Sequence, residues 1–235
     1  MSKTLKYILF DLDETLYPSR SGLMAEIGKL MGRYMEERLG MSPAEVPTLR
    51  EHYYHVYGTT MRGLQIHHGI DPKDYLAYVH DLPLEDYIGP NDELDRVLAE
   101  IETEKVIFTN ASAEHARRVL AILGIERHFS HVIDVRALGY TAKPDPEAYR
   151  RALEILGADG HECLLVDDRA RNLVPAKELG MITILVSNEE AAPRQNPFQD
   201  ADFVIGEVAE IGEVVRRLTF EGAAANPSSL KSRRG

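Results

Sequence analysis

The 235-residue sequence predicts an α/β protein: a parallel sheet covered by helices on both faces, with an all-helical insertion after the first strand. Three observations carry this. Six short apolar runs do not alternate with polar residues, as strands buried on both faces read. The helical stretches between several of them end in Leu-Gly, where glycine can close a helix in the left-handed conformation. The interval between the first two runs, Leu12 to Glu104, is far longer than the dozen or so residues a crossover needs.

In chain order the predicted strands are YILF (Tyr7 to Phe10), KVIFT (Lys105 to Thr109), HVI (His131 to Ile133), CLLV (Cys163 to Val166), TILV (Thr183 to Val186) and DFVI (Asp202 to Ile205). ASAEHARRVLAILG, DPEAYRRALEILG and RNLVPAKELG carry apolar residues at helical spacing. Pro175 fits the last of these if it lies in the first turn. From about Ser21 to His80 the chain shows four helical patterns and no strand, a small helical cap, after which LPLEDYIGP returns to the core. The expected division is therefore a core of residues 1–18 and 86–220, a cap of 19–85, and a disordered tail of 221–235.

Composition narrows the function classes. Hydrophobic residues at 44% and charged residues at 28% describe an ordinary globule rather than a collagen-like or coiled-coil chain. Lys and Arg number 27 against 38 Asp and Glu, a net charge of −11 that repels nucleic acid and anionic membranes. The largest basic cluster, Lys231, Arg233 and Arg234, falls in the tail. The apolar run at Tyr7 to Phe10 is too short for a signal peptide or a membrane span, so a cytoplasmic location is expected. The single cysteine, Cys163, lies in an apolar run and reads as a buried thiol, with no intramolecular disulfide possible.

The strongest chemical signal is FDLDETLYP, Phe10 to Pro18. Residues two apart in an extended chain share a face, which sets Asp11 and Asp13 side by side about 7 Å apart at the end of the first strand. At an effective dielectric near 20 their repulsion is about 2 kcal/mol, which a cation or a raised pKa relieves; spacing alone also allows a solvated turn. Thr109 and Asn110 follow the second strand and precede a helix, an arrangement that suits an anion, although Asn110 or Ser112 alone is more often a helix cap. Lys143 stands before Pro144-Asp145-Pro146 at another helix start, where a lone lysine is usually solvated. Asp167 and Asp168 follow the strand CLLV, repeating the carboxylates at Asp11 and making, with it, an oxygen-rich site of the kind magnesium takes. All four features fall at the carboxyl ends of strands, where open parallel sheets bind ligands.

In these motifs, FDLDET, FTN, AKP and VDD in that order, the sequence resembles the haloacid dehalogenase superfamily over essentially Tyr7 to Phe220. The resemblance implies a Rossmann-like core, a cap inserted after the first motif, Mg²⁺ as cofactor and hydrolysis through a phospho-aspartyl intermediate. It assigns Asp11 as nucleophile, Asp13 as acid and base, Thr109 as phosphate ligand and Lys143 as charge clamp. Asp11, Asp13, Asp168 and Asp167 are the candidate metal residues, with Asp168 ahead of Asp167 because VDDRARN aligns on the family's GDxxxD form with Asp167 at the glycine. Retention of Asp13 favours a phosphatase over halide-releasing members, with sugar-phosphate mutase a weaker option.

The cap sequence YHVYGTTMRGLQIHHGIDPKDYLAYVHDLPLEDYI is similar to that of the pyrimidine 5′-nucleotidase family, as are HARRVLAILGI, VDDRARNL and AKELGM. That resemblance implies removal of the 5′-phosphate from UMP or CMP; a broader small-molecule phosphatase acting on phosphoglycolate-like or lysophospholipid-like esters is the enzyme alternative, and an inert binding module the other. Asn110, Arg62, Tyr57 and Thr60 are the candidate substrate contacts, although tyrosines at this helical spacing are more often cap core. His52, His55, His67 and His68 lack the cysteine or acidic partners that a zinc site needs.

Overall fold

The computed structural model describes residues 5–187 and 201–224. Six strands, β1 (Tyr7–Phe10), β2 (Glu104–Phe108), β3 (Phe129–Ile133), β4 (Cys163–Asp167), β5 (Ile182–Val186) and β6 (Phe203–Ile205), form one sheet in the order β3-β2-β1-β4-β5-β6. Every pairing is parallel, with Leu9 opposite Val106 on one side and Leu165 on the other. The boundaries differ from the apolar runs by a residue or two. The largest change is in β3, which starts two residues before HVI; it is an edge strand, so its Ser130 and His131 are exposed and do not read as apolar.

Side chains alternate across the sheet as the pleat requires. Ile8, Phe10, Ile107, Leu164 and Val166 pack on one face, beneath α5 (Asp92–Glu100), α6 (Ala113–Leu123) and α9 (Ile211–Ala224). Leu9, Val106, Phe108, Cys163 and Leu165 pack on the other, beneath α7 (Pro146–Leu156) and α8 (Ala170–Glu178). Cys163 is thus a core residue, and burial pushes its thiol up to about 11. The amphipathic helices α5 and α9 are additions to the sequence reading, and α9 carries residues 221–224, where a disordered tail was expected; the remainder of that tail lies outside the described residues. Pro175 corrects a second expectation. It sits inside α8, beyond the first turn, where it withdraws a backbone donor from the helix.

Between β1 and β2 lie α1 (Leu23–Leu39), α2 (Val46–Tyr57), α3 (Thr60–His68) and α4 (Pro72–Val79), the four helices the pattern predicts. Thr59 and Asp71 cap α3 and α4 by accepting from the Arg62 and Lys73 amides. The rings of Tyr34 and Tyr75 meet edge to face at 5.0 Å between α1 and α4. A Cβ on Gly63 would fall 2.2 Å from Cγ of Tyr53, so only glycine lets α3 lie against α2. No helix among the described residues is long and apolar enough to cross a membrane.

Candidate active site

The topology puts β1 between β2 and β4, with the chain moving to one side for β2 and β3 and to the other for β4, β5 and β6. This reversal of strand order opens a crevice at the carboxyl ends of β1 and β4. Asp11 follows β1, its amide bonded to the Val166 carbonyl at 2.9 Å; Thr109 follows β2; Asp167 ends β4 and Asp168 comes next. Sequence positions up to 157 residues apart thereby reach one place.

Lys143 is the centre of the charge arrangement. Its Nζ donates to Asp11 Oδ1 and to Asp167 Oδ2, each at 2.8 Å, and all three side chains are withdrawn from solvent. Asn110 holds this lysine from the backbone, Nδ2 donating to the Lys143 carbonyl at 3.0 Å and Oδ1 accepting from its amide at 2.8 Å. Gly58, at the end of α2, comes against the same loop. A Cβ there would stand 2.9 Å from the Lys143 carbonyl oxygen, and its φ of +83° excludes most side chains in any case.

The two adjacent aspartates divide their work. Asp167 is fully buried and accepts from Lys143, from Asn172 Nδ2 at 2.9 and 3.1 Å, and from the Arg169 amide at 2.9 Å. Asp168 lines the cavity, with Arg169 Nε 2.9 Å from its Oδ2 and Thr15 Oγ1 3.4 Å from its Oδ1. Oxygen atoms of Asp11, Asp167 and Asp168 all lie within 4.8 Å of one another. Burial, followed by the repulsion of Asp11 and Asp167, pushes the Asp168 carboxyl up to about 8. Burial likewise pushes Asp11 up to about 7, against the pull of Lys143. Lys143 is held above its ordinary range: burial lowers it, but its two carboxylate partners more than offset that. Carboxylates crowded so closely, with no thiolate or imidazole among them, are a donor set that fits a hard divalent cation.

The Asp13 side chain lies apart from the other three aspartates. Its Oδ1 accepts from Tyr17 Oη at 2.7 Å and pairs with His115 Nε2 at 2.9 Å, and its carboxylate is not in the acidic group. Burial alone would raise its pKa, but His115 and Tyr17 together hold it below the ordinary carboxylate value. His115 lies in the first turn of α6, stacked on His80 at 4.1 Å, and burial beside His115 pushes His80 down to about 3. The sequence reading missed this histidine pair. The available signal was the position of His115 one helical turn beyond Ser112, the cap of the helix that follows Thr109-Asn110.

A cavity of about 580 Å³ extends from Asp11, Asp13, Thr109, Lys143 and Asp168 up to the cap helices. Thr60 lines it. Arg62 and Tyr57 do not: the guanidinium of Arg62 bonds Gln65 Oε1 at 2.6 Å along its own helix, and the Tyr57 hydroxyl pairs with His67 Nε2 at 2.6 Å. Asn110 reaches the cavity wall, but both ends of its amide are engaged by Lys143, which makes it a support for the lysine rather than a free substrate contact. Asp167, expected among the metal residues, sits within the acidic group yet is turned away from the cavity toward Lys143 and Asn172. His67 and His68 pair with Tyr57 and Tyr53, an arrangement of tyrosine partners and not of metal ligands.

A six-stranded parallel sheet with a helical insertion after β1, and a buried lysine among aspartates at the sheet's carboxyl ends, together define an α/β fold with an acidic, lysine-centred site. The chain belongs to the haloacid dehalogenase-like hydrolases, whose family model matches residues 5–180. It is 28% identical over 194 residues to "Phosphate metabolism protein 8" of Saccharomyces cerevisiae, an alignment covering 75% of this chain and 60% of the yeast protein. The chain thus spans well under the full length of that relative. Among solved structures it resembles L-2-haloacid dehalogenase from Xanthobacter autotrophicus (TM-score 0.60, 18% identity, 91% of this chain and 99% of that one). A phosphatase of the same superfamily from Thermococcus onnurineus gives a TM-score of 0.59 at 20% identity, covering 89% and 97%. At these identities the structural likeness speaks for the fold.

Proposed function

We propose that this hydrolase is a Mg²⁺-dependent phosphomonoesterase acting through a phospho-aspartyl intermediate, with pyrimidine nucleoside 5′-monophosphates as substrates. The observation that carries the reading is the placement of Lys143 Nζ 2.8 Å from Asp11, with Asp13 retained two residues on and hydrogen-bonded independently. The name of the yeast relative, which refers to phosphate metabolism, supports the same reaction class. We assign residues 1–18 and 86–220 to the catalytic core and 19–85 to a cap that covers the phosphate, and place the activity in the cytoplasm, where a lone buried thiol remains reduced.

Asp11 Oδ1 is held by Lys143 at 2.8 Å, whereas Oδ2 meets the Thr15 hydroxyl at 3.4 Å and is the oxygen that attacks phosphorus. That attack forms the aspartyl O–P bond and breaks the bond from phosphorus to the ester oxygen. The departing alkoxide needs a proton; Asp13, a carboxylate in the free protein, takes one up with the incoming phosphate and supplies it through Oδ2, since Oδ1 is engaged by Tyr17 and His115. The returned Asp13 carboxylate, steadied by the same two donors, then takes a proton from the water that cleaves the acyl phosphate. Thr109 Oγ1 accepts from the Ala111 amide at 3.0 Å, which leaves its own O–H to donate to a phosphoryl oxygen. Lys143 neutralises charge on the transferring group. Magnesium, when bound by Asp11 and Asp168, supplies further neutralisation of that charge and of the carboxylates themselves.

The test is a panel of UMP, CMP, AMP, glycolate phosphate and an aryl phosphate, with magnesium and with EDTA. Preferential, magnesium-dependent release of phosphate from UMP and CMP is expected. A preference for glycolate phosphate would move the substrate assignment, and a flat panel would remove the enzyme assignment.

A further inference from the structure

Two residues on the cap wall of the cavity each carry a buried hydrogen-bond donor that no group among the described residues uses. Tyr75, on α4, is almost wholly buried, and its hydroxyl has no partner among the described residues. Arg50, on α2, has a buried Nε that is also unpaired; its Nη2 meets only the sulfur of Met31, at 3.7 Å, and it forms no salt bridge among the described residues. Both residues line the cavity whose other end is formed by Asp11 and Lys143. The guanidinium lies over Gly28 of α1, where a Cβ would come 3.2 Å from Nη2, so the helix is locally hollow where Arg50 crosses it. Buried donors without partners cost stability, and native proteins keep few of them. Two on one cavity wall point to a ligand that supplies the acceptors.

The surroundings define that acceptor. Met24, Met31, Leu76 and Val79 make the wall apolar between the phosphate end and these donors, which suits a flat, uncharged body. The volume of about 580 Å³ exceeds what a two-carbon phosphate ester fills. We propose that Arg50 and Tyr75 are specificity-determining residues whose N–H and O–H groups donate to the carbonyl edge of a pyrimidine base, fixing the nucleoside while Asp11 attacks its phosphate. This rests on the nucleotide phosphatase reading above and goes beyond it by locating base recognition on α2 and α4.

Wild type, Arg50→Met and Tyr75→Phe are compared in steady-state kinetics with UMP, CMP, ribose 5-phosphate and an aryl phosphate, all with magnesium. Each variant should lose about tenfold or more in kcat/KM on UMP and CMP, mainly through KM. Their rates on ribose 5-phosphate and the aryl ester, which lack the base, should stay within about threefold of wild type and so report an intact fold. Tyr75→Phe removes one oxygen and keeps the ring, so it stands as the test if Arg50→Met does not fold. Equal effects on all four esters, or none on UMP and CMP, overturn the assignment. A wild type that cleaves the aryl ester but does not prefer UMP or CMP to ribose 5-phosphate overturns the nucleotide reading and this inference with it, whereas one that cleaves no ester overturns the phosphatase reading itself.

Discussion

Asp168→Asn should stabilise the metal-free protein while abolishing its response to magnesium. The Asp168 carboxyl is raised from 3.8 to about 8 by burial and by its neighbours Asp11 and Asp167. A carboxyl whose pKa is higher folded than unfolded binds more protons in the native state, so stability is greatest at low pH and is lost as pH rises from about 4 to about 8. At pH 7 the penalty is at most about 4 kcal/mol, at 1.36 kcal/mol per tenfold change in proton affinity. Asparagine keeps the shape and avoids this penalty. It gives up the Arg169 contact at 2.9 Å, but Arg169 is half-exposed and such pairs contribute about 0–1 kcal/mol. Allowing for partial solvation, the net gain should be about 1–3 kcal/mol at pH 8 and should vanish near pH 4. Urea denaturation in EDTA across that range measures it. Magnesium should then raise the urea midpoint of wild type and not of the variant, because binding to the native state alone is what shifts it. A variant less stable than wild type at pH 8 in EDTA, or a difference that does not change with pH, refutes the claim that these carboxylates repel one another in the folded chain.

Asp11→Asn should lower turnover of an aryl phosphate by on the order of 10⁴-fold or more, with the circular dichroism spectrum retained; residual turnover near wild type would show that another group attacks phosphorus. His115→Phe keeps a ring against His80 and removes the donor to Asp13, so kcat should fall by roughly 10²-fold and the pH–rate profile should move to higher pH, because His115 helps hold Asp13 low. An unshifted profile would separate His115 from the proton transfer. Gly160→Ala, far from the site, should cost about 1–3 kcal/mol in urea denaturation, since its Cβ would lie 1.9 Å from the Leu179 carbonyl oxygen, a backbone atom that cannot turn aside.

Much of this protein is determined by local sequence. Continuous apolar runs such as Leu164-Leu165-Val166 announce strands buried on both faces, and they do so wherever the sheet is central; the edge strand β3, with Ser130 and His131 in contact with solvent, was legible only in its last three residues. Asp11, Asp13, Thr109, Lys143 and Asp168 were identifiable because each follows a strand, or lies in the loop beyond one, and strand direction alone sends them to the same edge of a parallel sheet. Side-chain direction was not identifiable. Adjacent Asp167 and Asp168 look alike in the chain, yet one is enclosed by Lys143 and Asn172 and the other faces the cavity, because the end of β4 turns one residue inward and the next out. The same limit applied in the cap, where helical spacing showed which residues share a face but not which face meets the core: Arg62 and Tyr57 turned to Gln65 and His67, and Arg50 and Tyr75 took the cavity wall. His115 came to Asp13 across 102 residues by the docking of α6 beside β1. Pattern and spacing depend on neighbours in the chain, so the sequence by itself determined the elements and their order; pairings between distant side chains depend on how those elements pack, and only the tertiary structure decided them.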